Sequence, residues 1–253
     1  MDSTYDYVIV GAGSAGAVVA ARLSEDPDVR VCLLEAGGPP PPSEQVPAAV
    51  ASLQNDPATD WMYNGDPGGV GKGLIGGQMM VPRGKMLGGS SGLNYMAYVR
   101  GHPGDFDSWA AGGAEGWSYE EVLPYFRKAE GFVDSPELHA DPDVHGHNGP
   151  VGVSVRQPIL RASSQFVDAA GAVGMKQGDY NGRDRLRPEG VASLFQTTTK
   201  DGRRSSTFHA YLEPAMDREN LTVVTGALVE RVLLDADGDE VRATGVAYRT
   251  EDG

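Results

Sequence analysis

The sequence holds a single cysteine in 253 residues, Cys32. An internal disulfide is therefore impossible, and the apolar run around Cys32 makes it a buried, inert thiol. Cations are scarce as well: 21 Lys and Arg against 35 Asp and Glu leave a net charge of −14. Nucleic acid is excluded as a partner, because phosphate binding needs clustered basic side chains that are missing here. Long apolar runs are also missing. The stretch from Val8 to Ala21 is interrupted by glycines, lacks a basic segment before it, and leads into a turn and strand instead of a cleavage site. Nothing else approaches the roughly 20 apolar residues of a membrane span. Neither a signal peptide nor a transmembrane segment is expected, and a cytoplasmic location fits. No internal repeat is visible, and the only low-complexity segment is the proline block Pro39 to Pro42. What is present is glycine, 35 residues of it, with 40% hydrophobic residues, enough for the core of one large domain or two small ones.

The glycines are not scattered evenly. The apolar run Tyr7-Val8-Ile9-Val10 feeds into Gly11-Ala12-Gly13-Ser14-Ala15-Gly16 and then into an alanine-rich helix. A lone Gly-x-Gly-x-x-Gly is a weak signal, but each part of this one has a mechanical task. Gly11 permits the tight turn out of the strand, Gly13 lets a pyrophosphate approach the backbone, and Gly16 lets helix and strand pack closely. The helix N-terminus supplies free N–H groups and the positive end of a dipole to a doubly charged anion. A second apolar strand, Val29 to Leu34, ends in Glu35, about 20 residues beyond Gly16, where an acid accepts hydrogen bonds from both ribose hydroxyls of an adenosine. The same carboxylate would repel a 2′-phosphate. A dinucleotide site follows, with FAD and NAD both open.

Beyond Glu35, Ala36-Gly37-Gly38 and the prolines end regular structure, and a turn-rich excursion runs from about residue 43 to 82; a loop of that length is usually functional. Trp61 and Tyr63 within it are read as packing anchors, because aromatic side chains bury so much area. Ser118 and Glu121 form a capping box that starts a helix carrying Val122, Leu123 and Phe126, with a kink expected at Pro124. Val151 to Gln157 alternates as a half-buried strand, and a helix over Ala162 to Val173 carries the stripe Phe166, Val167, Ala170 and Val173. Val191 to Thr199 reads as a strand, and Ser205 begins a short helix ending near Pro214. Leu221 to Leu234 and Val241 to Arg249 read as two strands joined by a turn at Asp235 to Asp239. The closing Glu251-Asp252-Gly253 is a further turn signal.

The most specific segment runs from Pro82 to Met96: Pro-Arg-Gly-Lys-Met-Leu-Gly-Gly-Ser-Ser-Gly-Leu-Asn-Tyr-Met. Its glycines and small polar residues suit close approach of a flat or anionic group to backbone N–H donors. Together with the fingerprint, it closely resembles the flavin signature of the glucose–methanol–choline (GMC) oxidoreductases, FAD enzymes acting mostly on alcohols. The resemblance extends over Tyr98-Val99-Arg100-Gly101, Gly116-Trp117-Ser118 through Phe126, His145-Gly146 with Gly149-Pro150, and Gly202 to Ser206 with Ala210-Tyr211-Leu212.

By that resemblance, Gly11, Gly13, Ser14, Ala15 and Gly16 hold the FAD pyrophosphate, and Glu35 with Ala36 holds the adenosine ribose. Met86, Gly88, Gly89 and Ser90, with the run Asn94-Tyr95-Met96-Ala97, match the part that lies along the flavin. Val229 matches a position where backbone groups meet the adenine. Leu93 stands where some members carry a histidine bonded covalently to the flavin, so the FAD here is expected to be non-covalent.

The implied fold is α/β: a Rossmann-like FAD-binding domain over residues 1–150, resumed at 218–253, with part of an α+β substrate domain on an antiparallel sheet over 151–217. The implied reaction is oxidation of a small-molecule alcohol by hydride transfer to the flavin. The family's catalytic histidine lies in a carboxy-terminal half whose motifs do not occur here, so no catalytic residue is assigned and a complementary carboxy-terminal polypeptide is an implied partner. A non-catalytic FAD-binding half, a split-enzyme subunit, and another reaction on the same fold (a hydroxynitrile lyase or photodecarboxylase) stay open.

No metal site is assigned to His139, His145 and His147, since His-Gly-x-x-Gly-Pro is a family loop without a nearby cysteine. Asp141 and Asp143 are read as solvated turn residues, Arg203 and Arg204 as facing water or an acid. His102 and His209 are read as packing or capping residues, no acid or nucleophile accompanying either in sequence.

Overall fold

A computed structural model describes residues 4–186, 190–237 and 240–250. The elements used below are, in chain order, β1 (Tyr7–Val10), α1 (Ser14–Leu23), β2 (Val31–Leu34), β3 (Tyr63–Gly65), β4 (Met79–Val81), α2 (Ser90–Leu93), α3 (Pro103–Ala111), α4 (Tyr119–Ala129), β5 (Glu130–Val133), β6 (Val151–Val155), α5 (Arg161–Ala172), β7 (Gln196–Thr197), β8 (Leu221–Val224), β9 (Leu228–Asp237) and β10 (Glu240–Arg249). The chain divides into two compact units, residues 1–95 with 206–253, and residues 96–205.

The first unit is built on a parallel sheet in the order β1-β2-β8, with Val31 of β2 level with Tyr7 on one side and Leu221 on the other. All four residues of β2 are buried, as its unbroken Val-Cys-Leu-Leu demands of a strand covered on both faces. Ala17, Ala20 and Ala21 of α1 are also buried, their small side chains permitting close packing on the sheet. The stretch Leu221 to Leu234, expected as one strand, is two. Gly226 at φ +66° turns the chain between β8, which joins the parallel sheet, and β9, which pairs with β10 in an antiparallel hairpin. The expected turns at 235–239 and 251–253 fall wholly or partly outside the described residues. The excursion after Glu35 contains the small hairpin β3–β4.

Among the described residues β1 pairs with β2 alone, and its Tyr7 and Val10 are about half exposed, at 49% and 53%. An apolar strand with an open edge is a template for pairing with another chain. The isolated chain is expected to associate reversibly through it, so that sedimentation coefficients rise with protein concentration; a sharp, concentration-independent melt of a strict monomer would contradict this.

The second unit carries a mixed sheet. β5 and β6 run parallel, β6 pairs antiparallel with β7, and a further antiparallel pair joins Thr199–Lys200 to Arg203–Arg204. The long return from β5 to β6 enforces the parallel step, since parallel neighbours need a crossover. Phe132, Leu138, Val153, Val155 and Leu194 form its core. The capping box is present, with the Ser118 N–H donating to Glu121 at 3.0 Å, and α4 runs on through Pro124. The α5 stripe is only half used: Ala170 is buried and Val167 packs on the core, while Phe166 and Val173 face solvent. Arg204, expected to face water or an acid, is buried and so does not face water. The border expected at residue 150 falls inside this unit because β5 pairs with β6, and residues 206–217 group with the first unit.

Candidate dinucleotide-binding site

The first unit holds a cleft of about 400 Å³ at the carboxyl ends of β1 and β2, and eight of the residues singled out from the sequence line it: Gly11, Gly13, Ser14, Glu35, Ala36, Gly89, Ser90 and Val229. Gly11 sits at φ +87°, in the left-handed region, and its N–H still donates to the Leu34 carbonyl at 2.7 Å. A Cβ on Gly16 would lie 1.9 Å from the Gly11 carbonyl oxygen. Only glycine allows helix and turn this close. Gly13 is the N-cap of α1 and offers no side-chain acceptor, so the first-turn amides, Ser14 to Gly16, are left for a ligand. A Cβ on either Gly11 or Gly13 would meet nothing within 4 Å: the space before the amides is open.

Glu35 is 5% exposed. One carboxylate oxygen accepts from the Ala12 N–H at 2.7 Å, the other from the Gly37 N–H at 2.9 Å. The side chain thus ties the fingerprint loop to the turn after β2. Each oxygen keeps lone-pair capacity toward the cleft it lines.

The glycine-rich segment is pinned to this loop by backbone. The Leu87 N–H donates to the Gly38 carbonyl at 3.0 Å and the Gly88 N–H to the Ala12 carbonyl at 2.8 Å. Gly89 adopts φ +51°, ψ −137°, and a Cβ there would stand 2.6 Å from the Gly13 Cα. The two motifs therefore touch glycine to glycine. Gly89→Ala is expected to cost on the order of 2 kcal/mol from the backbone conformation alone, with the clash adding to it; urea unfolding measures it, and an unchanged midpoint would refute the contact. The Gly84 N–H donates to the Ser90 hydroxyl at 3.1 Å. Asp60 braces the approach: burial raises its carboxyl pKa, but amides of Met62, Arg83 and Asn55 outweigh burial and hold it below the usual range.

The remaining expected residues lie elsewhere. Ala15 and Gly16 are in the first turn of α1, behind the cleft wall. Met86 is fully buried with Leu53 and Leu93, and Gly88 serves through its backbone. Asn94 and Tyr95 are exposed outside the cleft, Tyr95 at 64%. Met96 and Ala97 belong to the second unit, where the Met96 carbonyl accepts from the Thr198 N–H at 2.8 Å and Ala97 bridges Thr197. Conversely, Trp61, Tyr63 and Arg83 line the cleft. Reading the two aromatics as packing anchors missed this. Strand alternation gave no signal for it, since Trp61 precedes β3 and Met62 between the two rings adopts φ +55°.

Four of the five histidines are engaged. His102 caps α3, accepting from the Gly104 N–H at 3.0 Å. His209 lies between Glu213 at 2.8 Å and the buried Glu44 at 3.0 Å, and hydrogen bonding to Glu44 raises its pKa despite burial. His147 lies 3.1 Å from the Phe132 carbonyl. His145 is buried in the second unit, its ring nitrogens 2.9 Å from Glu130 and 2.7 Å from Asp179. Asp141, expected as a solvated turn residue, is clasped by Arg183 at 2.7 and 3.1 Å, and Asp143 pairs with the same guanidinium at 2.7 Å.

Parallel sheet, glycine turn, free helix N-terminus and strand-end acid define a dinucleotide-binding protein of the Rossmann class. The family model described as GMC oxidoreductase matches residues 5–253, and the chain belongs to that family. It is 45% identical to the oxygen-dependent choline dehydrogenase of Yersinia pseudotuberculosis serotype IB (strain PB1/+) over 96% of this chain and 41% of that protein. Among solved structures it is similar to pyridoxine 4-oxidase from Mesorbium loti, with TM-score 0.80 and 32% identity over 97% of this chain and 47% of that one. It is also similar to an FAD-dependent oxidoreductase from Chaetomium thermophilum, with TM-score 0.83 and 30% identity over 99% of this chain and 42% of that one. The chain spans about two-fifths of the length of the curated relatives it matches. No helix among the described residues is long and apolar enough to cross a membrane.

Proposed function

We propose that this chain is the cofactor-binding, amino-terminal portion of an FAD-dependent oxidoreductase that oxidises a small-molecule alcohol, and that it holds FAD without a covalent bond. The observation that carries the reading is the convergence on one cleft of free amides at the α1 N-terminus, the buried Glu35 carboxylate and the Gly89–Ser90 backbone. These residues fit the group. Open space before Gly11 and Gly13 would admit a diphosphate, the α1 amides of Ser14 and Ala15 would hold it, and the Glu35 carboxylate lining the cleft would accept from the ribose hydroxyls. When bound, FAD supplies the two-electron acceptor. The other residues expected at the cofactor, Met86, Asn94, Tyr95, Met96 and Ala97 among them, stay part of the proposal as positions near the flavin.

Oxidising an alcohol also requires a base for the hydroxyl proton. Among the described residues no histidine lines the cleft, and His102, His145 and His209 are occupied by a cap or by carboxylates elsewhere. We assign the base to the carboxy-terminal part that the longer relatives carry, whether joined in one chain or supplied as a complementary polypeptide. Choline-like alcohols are the first substrates to try, given the choline dehydrogenases among the relatives.

The test is the visible absorption spectrum of the purified chain, desalted after incubation with FAD. Retained flavin absorption supports the reading. A colourless protein would overturn it for this chain.

A further inference from the structure

Gly89 and Ser90 line the cleft, and the residues flanking them are braced from behind by a stretch of the same unit that lies 116 residues further along the chain. The Ser91 hydroxyl donates to the Gly88 carbonyl at 2.6 Å. It accepts from the Thr207 N–H at 3.0 Å, and the Thr207 hydroxyl lies 3.0 Å from it as a second donor. One residue on, Phe208 stands behind Gly88, where a Cβ would meet the Phe208 Cβ at 3.1 Å. His209 completes the brace. Its Nε2 lies 3.0 Å from the carboxylate of Glu44, which is fully buried and packs on α2: a Cβ on Gly92 would stand 3.3 Å from a Glu44 oxygen.

The other ring nitrogen of His209, Nδ1, lies 2.8 Å from Glu213. A nitrogen that faces a carboxylate oxygen must donate, and a neutral imidazole has one N–H for two such partners. His209 therefore holds both as an imidazolium, and charge-assisted bonds of this kind are roughly twice as strong as neutral ones. The charged side chains on the elements packed around the turn Phe208–Leu212 are Glu44 in Pro42–Gln45, Glu213 in Glu213–Ala215, and Arg22 in α1. Arg22 is turned to the Tyr211 ring at 5.3 Å and to Glu25 at 2.6 Å. When the proton leaves His209, one of its two bonds is lost and the other no longer joins opposite charges. The grip on Glu44, and through it on α2, slackens as pH rises.

We propose that His209 is a positioning residue of the cofactor site: without lining the cleft, its imidazolium holds Glu44 against the turn that carries Gly89 and Ser90, so that cofactor retention falls when His209 loses its charge. The inference rests on the FAD reading above. A coupling of this kind is worth on the order of tenfold in affinity.

The experiment titrates the purified chain with FAD from mildly acidic to alkaline pH, following flavin absorption and fluorescence, for wild type, His209→Gln and His209→Arg. Wild-type affinity should fall about tenfold as His209 loses its proton. The fall should be absent from His209→Gln, which binds weakly throughout, and from His209→Arg, whose guanidinium keeps its charge. His145 lies in the second unit and is the same in all three chains, so the comparison isolates His209. Nitrogen NMR of His209 in the wild-type chain keeps the test decisive if a variant does not fold. Coupling is reciprocal, so FAD should raise the pH at which His209 titrates by about 1. A pH dependence that persists in both variants, or a His209 titration that FAD leaves in place, overturns the positioning role while leaving the FAD site intact. A wild-type chain that binds no FAD at any pH overturns the FAD reading itself.

Discussion

Glu35→Ala is expected to leave the chain unable to retain flavin through desalting and to lower its melting temperature in the same preparation. Both effects come from one carboxylate. Toward the ligand, on the proposed role of Glu35, the substitution removes the charged acceptor to which the ribose hydroxyls would donate, each such bond being worth roughly 1.5–3 kcal/mol, so FAD affinity should fall by ten- to a hundredfold or more. Toward the protein, it strips the Ala12 and Gly37 amides of their acceptors, at 2.7 and 2.9 Å in the native chain. A buried donor left unsatisfied costs about 1–3 kcal/mol. Ala12 lies between the two fingerprint glycines, so loosening it also disturbs the amides before the diphosphate. Glu35→Gln separates the contributions, because its amide oxygen replaces one acceptor and its nitrogen cannot replace the other. The expected order of FAD affinity is wild type, then Gln, then Ala. Absorbance after desalting and a melt on the same samples check it, and an alanine variant that keeps its flavin and its melting temperature would sink the role.

Much of this site was legible because its glycines act where backbone meets backbone. Gly11 at the turn, Gly16 against the Gly11 carbonyl and Glu35 at the strand end stand at spacings fixed by local chain geometry, and local geometry is what sequence encodes most directly. Resemblance added the glycine-rich segment, and the structure supplies the reason for its glycines: Gly89 rests on Gly13 across more than seventy residues of chain. Side-chain destinations were less legible. Met86 lies inside the same motif yet belongs to the core with Leu53 and Leu93, a partnership that no local pattern announces. Trp61 and Tyr63 were read from area alone, whereas their places beside the cleft depend on residues far along the chain: the Trp61 N–H donates to the Arg83 carbonyl, and Tyr63 pairs with Val81. The mixed sheet was hidden for a similar reason: an alternating run such as Val151 to Val155 states that one face is buried but not which way its neighbours run.

The least legible feature is the buried charge cluster of the second unit, and it yields the other large expected effect. His145, read from sequence as part of a loop motif, is fully buried between Glu130 and Asp179, with its ring 4.1 Å from that of Phe132. Arg100 also pairs with Glu130 and donates to the Val144 carbonyl at 2.7 Å. Asp179 further accepts from the Gln196 amide at 2.7 Å and the Asn181 N–H at 2.9 Å. Because each ring nitrogen faces a carboxylate oxygen, both must donate, and the imidazole must carry its proton. Two cations then balance two anions. Burial alone would lower the His145 pKa, but the bonds to Asp179 and Glu130 prevail and raise it above the ordinary value. Burial likewise acts to raise Asp179, and the bond to His145 with its other donors prevails to depress it. The raised histidine contributes stability that is complete below its unfolded value near ~6.5 and is lost as pH climbs through the folded value. The depressed aspartate contributes above about 4, a contribution lost only in strong acid. Wild-type unfolding should therefore hold through neutral pH and weaken on the alkaline side. His145→Gln leaves a buried cluster with one uncompensated negative charge and should cost about 3–5 kcal/mol, a large share of the 5–15 kcal/mol typical of a folded protein, and its alkaline limb should flatten. Urea unfolding across pH reads both quantities, and nitrogen NMR of wild-type His145 decides the protonation directly even where the variant does not fold. A single protonated ring nitrogen at neutral pH, or a glutamine variant within 1 kcal/mol of wild type, would mean that the cluster is held by hydrogen bonds between neutral partners and not by an imidazolium.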